Sequence, residues 1–575
     1  MGLRLARLAL LVWPALWSAA PLFPYPILRL TTAAIGPLSV PLGSDGPEQT
    51  LEAFNLGDGS LELAVSSNAP WLTATVGAPR PCTNRSGPCL PIAIRLRTAA
   101  LPRGAHTATL TVSDPRAWDA PQTVTVTVQM GGGVPDRADF FVAPNGSNDS
   151  LVFETNHTIQ TRTSTDSGGD WLSVALEGLG SFRFVLPYRV RVRHLPEMAE
   201  GSYSGLVEVT GSGFAPDNKT LPVSLRVTSE PIALLTPSRL SLRVAQGTIK
   251  TQGLILVANR GLGELRLSGL EAASSAGGAW LSGAVAAPNL VTVTADPKDL
   301  ASGVYEGAVT ILSNAANGPL RVPVRLEVVP QAPPLIAFGG VANNTFAPGE
   351  PIAQGGIASL YGEQFRYGEP VQGTIPLAEE LGGVKVYVNG VAARLFYASY
   401  GQINFQMPYD VSPGPVRVTV VRDGRAGNAV TAEVGERVPR LLRLGIGDYG
   451  IIVNQDGSFP IPPAPGIASR PARPGDALVV YAIGFGQTDP PTALGEASPA
   501  AEPLARIVPT PTVYFGAGLT GGVAALPFYA GLTPGLVGLF QINVFVPENA
   551  PRGERVPLRI EGPGYRSNSV ELAIE

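Results

Sequence analysis

Residues 303–311 read Gly303-Val-Tyr305-Glu-Gly307-Ala-Val-Thr-Ile311, and residues 320–328 read Leu320-Arg-Val-Pro-Val-Arg-Leu-Glu-Val328. In the second stretch Val322, Val324, Leu326 and Val328 alternate with Pro323, Arg325 and Glu327. A period of two with β-branched residues marks a strand that buries one face. A Trp-Leu pair, Trp280-Leu281, stands upstream. The same order occurs twice before. Trp71-Leu72 leads to Gly104-Ala-His106-Thr-Ala108 and closes with Thr123 to Val128; Trp171-Leu172 leads to Gly201-Ser-Tyr203-Ser-Gly205 and closes with Leu221 to Val227. Repetition about every hundred residues is the signature of tandem modules.

A longer pattern occurs twice in the second half. Gln402-Ile-Asn404 with Met407-Pro408 corresponds to Gln541-Ile-Asn543 with Val546-Pro547, and Phe396-Tyr-Ala398 corresponds to Phe528-Tyr-Ala530. Val384, Val386 and Val388, like Val416, Val418 and Val420, alternate as in the first half. No stretch after the amino terminus reads as three turns of helix, so βαβ crossovers are absent and the sheets are expected to be antiparallel. The predicted fold is all-β: five tandem immunoglobulin-like antiparallel sandwiches behind a signal peptide. The boundaries are 1–20 for the leader, then 21–132, 133–230, 231–331, 332–436 and 437–575.

The totals agree with this division. A chain of 575 residues has room for four or five domains. Charged residues are 15%, with 67 Gly and 56 Pro, as expected for many turns and few charged helix faces. A formal charge of −4 argues against nucleic acid as a partner. Arg4 and Arg7 precede the apolar run Leu8 to Trp17 and the small residues Ser18-Ala19-Ala20, the order of a cleaved export signal. No later stretch is long and apolar enough for a membrane-spanning helix, so no integral membrane segment is expected in the mature chain. Cys82 and Cys89 are the only cysteines. In an exported protein they read as one disulfide closing a small loop; two free thiols are the rival. A metal site is disfavoured because no His lies nearby.

The second half resembles the uncharacterised C-terminal domain family first described in Solibacter. The matching residues are Phe346-Ala-Pro-Gly349, Leu381-Gly-Gly-Val384, Val388-Asn-Gly-Val-Ala392, Leu395 to Pro408, Asn454-Gln-Asp-Gly457, Pro474-Gly-Asp476, Tyr529 to Gly535 and Gln541 to Pro547. Gln354-Gly-Gly356 departs from the Pro-Gly usual there. The resemblance implies two immunoglobulin-like copies of the IPT/TIG type and no established activity. The first half is similar to bacterial immunoglobulin-like repeats of the BACON type, through the Trp-Leu pair and the closing strands. That resemblance implies carbohydrate binding.

Candidate sites are few. Trp71, Trp171 and Trp280 read as structural core, because a sandwich needs a large buried residue at a fixed place; sugar stacking is the alternative. Arg189, Arg191 and Arg193 alternate with Val190 and Val192, and Arg95 and Arg97 occupy the matching strand of the first copy. Such a row reads first as a solvated sheet face that discourages edge pairing, and second as a ligand face for acidic polysaccharide or phosphate. Gly445-Ile-Gly-Asp-Tyr-Gly450 matches a dinucleotide fingerprint as a string, but a strand rather than a helix is expected after it. Asp456 and Asp476 read as turn residues rather than calcium ligands. His106, His157 and His194 belong to no nucleophile motif, and no catalytic, cofactor or metal residues are assigned. The resulting expectation is an exported, non-enzymatic binding or adhesion protein, extracellular, cell-surface or periplasmic, that recognises glycans or cell-surface components. The alternatives are a structural spacer or assembly subunit and, more remotely, a hydrolase with a dispersed acidic site.

Overall fold

The structure is a computed structural model that describes residues 25–178, 185–275, 278–343, 349–464, 466–516 and 521–575. Residues 1–20, read above as an export signal, and Phe346-Ala-Pro348 lie outside the described residues. The fold is all-β, with 54% of residues in strands. The helical element among the described residues is a single 3-10 turn, Ala215–Asp217.

Alternation along the strands decides which side chains meet. In Leu320–Val329 the even-numbered residues Leu320 to Val328 are buried while Arg321 and Pro323 face out. The same alternation holds for Gln122–Met130 and, with the odd-numbered residues buried, for Thr220–Val227. Each buried Val or Leu contributes about 1.5–3 kcal/mol against leaving it in water. Five separate hydrophobic clusters result, lying within residues 28–130, 134–227, 233–328, 336–434 and 441–574.

Each cluster lies between two sheets. In the third module one sheet runs Ala233–Thr236, Thr251–Asn259, Leu290–Ala295, Leu281–Ala287. The facing sheet runs Leu240–Ala245, Leu320–Val329, Gly303–Ser313, Leu267–Ser274. The first module repeats this plan, the second does so with three strands in its first sheet, and the fourth and fifth enlarge it with short extra strands. The expectation of antiparallel pairing holds for most neighbours but needs one correction. The first strand of the second sheet pairs in parallel with the last: Ala34–Val40 with Gln122–Met130, Ala138–Val142 with Thr220–Val227, Leu240–Ala245 with Leu320–Val329, and Ile352–Ala353 with Arg425–Gly435. Between these two strands the chain passes through the facing sheet, so no helix is needed to bring them side by side in parallel.

The modules are joined by more than their linkers. The first touches the second, third and fourth. Asn156 Nδ2 donates to the Pro37 carbonyl, and Asn68 Nδ2 donates to Glu327 Oε2 at 3.1 Å. Asp119 docks on the free edge of Arg425–Gly435: its N–H donates to the Ala429 carbonyl at 2.9 Å, and its Oδ1 accepts from Thr431 N–H at 2.7 Å. Arg29 Nη1 donates to the other carboxylate oxygen at 2.5 Å. Asp119 thus occupies the place of a strand residue on an edge that would otherwise stay open. No helix among the described residues is long and apolar enough to cross a membrane.

Candidate functional site

The Trp-Leu pair occupies one structural position in all three amino-terminal modules. The Trp carbonyl accepts a backbone N–H from the neighbouring strand each time, from Arg97, Arg193 and Asp296 at 2.7, 3.1 and 2.8 Å. The following Leu pairs in register with Leu96, Val192 and Ala295. The aromatic after the turn glycine is also fixed: Tyr203 and Tyr305 donate their hydroxyls to the carbonyls of Ala199 and Ala301, both at 2.9 Å, while His106 Nε2 lies 2.7 Å from the Pro102 carbonyl oxygen.

The indoles nevertheless differ. Trp171 and Trp280 are buried, at 1% and 3% exposure. Trp71 is only half-buried, packed against the margin of its core. The neighbouring strand supplies the reason. Gly205 and Gly307 stand beneath Trp171 and Trp280; a Cβ there would lie 3.1 and 3.3 Å from the indole carbons and closer still to Leu172 and Leu281. The first module carries Ala108, fully buried, at the aligned position, so a methyl group stands where the other two modules have only a glycine hydrogen. Trp71 therefore turns part of its ring outward.

It turns into a cleft between the first and third modules, about 570 Å³ in volume. Besides Trp71 the wall carries Asn68, His106, Arg239, Glu306 and Arg325. Asn68 is held by Glu327 and by the Thr109 N–H. Arg325 Nε lies 3.7 Å from Glu306 Oε1 and its Nη1 lies 3.6 Å from Glu327 Oε2. Arg239 is exposed, and among the described residues no ion pair holds it. Partial burial raises the Glu306 carboxyl above its ordinary range, against the opposing pull of Arg325 and Arg239. The cleft thus brings together an indole and an imidazole from the first module with an uncommitted guanidinium and a carboxylate from the third. Among the described residues, no second ring or guanidinium stacks on Trp71.

A second aromatic cleft, about 520 Å³, lies between the first and fourth modules beside Tyr25, Trp118 and Tyr387. Tyr25 and Trp118 stack at 5.8 Å, and the Arg417 guanidinium faces both rings at 5.9 Å. The chain's own cation covers that pair, which joins two modules.

The arginine row sits as the alternation implies. Arg191 and Arg193 are exposed and Arg189 is half-exposed, with Val190 and Val192 buried behind them. Glu177 accepts from Arg189 Nε and Arg191 Nη2, each at 2.5 Å; the Arg189 hydrogen bond first, and then the charges of Arg189 and Arg191, hold its carboxyl below the ordinary range. Two of the three guanidinium groups are thereby engaged, and among the described residues no ion pair holds Arg193. In the first module Arg95 Nε lies 3.5 Å from Glu48, and Arg97, just past the strand, is exposed. No contact among the described residues joins the pair at Arg95 and Arg97 to the three arginines of the second module.

Cys82 and Cys89 are joined, with Cα atoms 4.9 Å apart. Glu52 anchors the enclosed loop by accepting from the Thr83 N–H and hydroxyl, and these bonds lower its pKa more than Arg80 does. Gly445 to Gly450 forms a turn closed by Leu444 N–H on the Tyr449 carbonyl, and the strand Ile452–Asn454 follows. Asp456 and Asp476 are both spent on Arg470, at 2.6 and 2.7 Å. His106, His157 and His194 lie in separate places, and among the described residues no group of three or more metal-ligating side chains occurs.

No family model and no curated protein matches the chain. Among solved structures it is similar to the human desmocollin-1 ectodomain, at 10% identity over 94% of this chain and 97% of that one, with a TM-score of 0.16. It is similar to Drosophila N-cadherin EC1-3, at 12% identity over 52% of this chain and 100% of that one, with a TM-score of 0.19. It is also similar to an endo-fucoidan hydrolase from glycoside hydrolase family 107, at 11% identity over 54% of this chain, with a TM-score of 0.18. The chain spans 45% of the length of that hydrolase. The paired sheets of each module define the class, a row of immunoglobulin-like sandwich domains; these likenesses add nothing to it. They carry no argument about activity.

Proposed function

We propose that this chain is an exported, non-enzymatic binding protein that recognises a saccharide through the cleft between its first and third modules. One observation carries the reading. Of three equivalent tryptophans, the one denied its glycine seat is the one that faces a cleft with polar and charged walls. An indole face packs on the apolar face of a pyranose ring, and guanidinium and carboxylate groups at its edge bind hydroxyl or acidic substituents. Arg239 favours a glycan that carries carboxylate or sulfate. The Cys82–Cys89 bridge supports an oxidising compartment, in agreement with the amino-terminal leader. The likeness of the first half to BACON-type modules supports the same ligand class.

Affinity electrophoresis in gels containing uronate-rich, sulfated or neutral polysaccharide tests the reading. Retardation of the native chain on an acidic glycan, lost in Trp71→Ala and weakened in Arg239→Ala, is the expected result. Equal retardation of Trp71→Ala, or none on any glycan, overturns it.

A further inference from the structure

The fourth and fifth modules are copies of one plan, and the fourth has a neighbour seated on one end of its first sheet. The fifth module meets it at Ile357, Gln406 and Arg394, beside Phe396 in the same strand as Arg394. Gln406 is 2% exposed; its Oε1 accepts from the Gly495 N–H at 2.7 Å, and its Nε2 donates to the Gly355 carbonyl. The Gly495 carbonyl accepts from Leu377 N–H at 2.8 Å. Two glycines of the fifth module permit the close approach. A Cβ on Gly495 would lie 2.9 Å from Arg394 Cγ, and one on Gly538 would lie 3.1 Å from Ile357 Cγ1.

The internal repeat locates the same seat on the fifth module. Gln541-Ile-Asn543 aligns with Gln402-Ile-Asn404, so Phe545 stands where Gln406 does. Strand register agrees, since Ile357 pairs with Gln406 and Ala477 pairs with Phe545. Counting back from the shared Phe-Tyr-Ala, Phe528 stands where Phe396 does, and Leu526 where Arg394 does. Among the described residues, none packs over this second seat as Gly495 packs over Gln406. Leu526, Phe528 and Phe545 are 75%, 53% and 54% exposed, and the two Phe rings meet at 4.8 Å. The polar pair of the covered seat, Arg394 and Gln406, has become an apolar pair on the open one.

We propose that this open seat is a homodimer interface, in which the fifth modules of two chains pack Leu526, Phe528 and Phe545 against each other. The covered seat on the fourth module demonstrates that this end of the sheet accepts an immunoglobulin-like neighbour. The exchange of Arg and Gln for Leu and Phe suits an isologous contact, where each side meets its own copy and apolar side chains are self-complementary while a guanidinium is not. Exposed apolar clusters of this kind mark association surfaces. The interface is independent of the Trp71 cleft, so glycan binding and dimerisation fail separately.

Sedimentation velocity of the full chain tests the proposal. The native chain is expected to show a concentration-dependent monomer–dimer equilibrium between about 1 and 100 μM, the range of a modest transient interface. The double variant Leu526→Arg, Phe545→Gln installs the fourth module's own residues at exposed positions, so the fold should persist, as an unchanged thermal transition would verify. It is expected to remain monomeric at every concentration. A native chain that stays monomeric throughout, or a double variant that dimerises like the native chain, overturns the proposal.

Discussion

Gly205→Ala in the second module should expel an indole that the native chain keeps buried. The added Cβ would lie 2.9 Å from the Ser164 carbonyl oxygen, 3.0 Å from Leu172 Cδ2 and 3.1 Å from the Trp171 ring. The carbonyl belongs to the paired strand and cannot retreat without breaking the ladder, so the ring must yield. Overpacking of this kind costs about 1–3 kcal/mol. Alanine recovers about 0.5–1 kcal/mol through the lower entropy of its unfolded chain. The net expectation is a loss of about 1–2 kcal/mol, which lowers the transition of a hundred-residue module by roughly 5–15 °C. Calorimetry would read the loss, and tryptophan emission would shift to the red. In a Trp171→Phe background the emission shift should vanish. The converse, Ala108→Gly, should let Trp71 sink, shift its emission to the blue and weaken glycan retention. A Gly205→Ala chain with native stability and native emission would refute the seat argument.

Asp119→Ala removes the acceptor of Thr431 N–H and of Arg29; amide exchange at Thr431 should accelerate, with a cost of about 1–3 kcal/mol to the contact between the first and fourth modules. Reduction of Cys82–Cys89, or Cys→Ser at both, should lower the first module's stability by up to about 2.5 kcal/mol in the chain-entropy picture for so short a loop, read as a shift of its thermal transition. Burial pushes the Tyr409 phenol up to about 12 from 10.0, beside Gly355, whose added Cβ would strike the ring. Here the folded state holds the proton more tightly than the unfolded one. The stability this represents is complete below pH 10, falls as the pH climbs towards 12, and should disappear from the difference between native and Tyr409→Phe unfolding curves recorded across that window.

The strands were legible because burial on one face leaves a period of two, and Val124 to Val128 or Val322 to Val328 can hardly be read otherwise. The repeated Trp-Leu pair marked a fixed place in the sandwich for the same reason. Its varied exposure was not legible. Gly205, Gly307 and Ala108 stand in aligned strings, but only the packing reveals that this position lies under the indole. The outward face of Arg189, Arg191 and Arg193 followed from alternation, whereas Glu177 reaches two of them from outside that strand. The parallel pairing of first and last strands, and the Asp119 contact with Thr431 across 312 residues, arise from chain reversal and docking, which leave no local periodicity. The apolar exchange at Leu526 and Phe545 could be read from the aligned copies alone, but its meaning depends on knowing that Gln406 is covered.

Hydroxyl-radical footprinting of the full chain, with oxidation quantified separately at Trp71, Trp171 and Trp280, tests the account most directly. Trp71 should oxidise many times faster than the other two and become protected when a retained acidic glycan is added. Equal, slow oxidation of all three would place Trp71 in the core with its counterparts and remove the basis for a binding cleft.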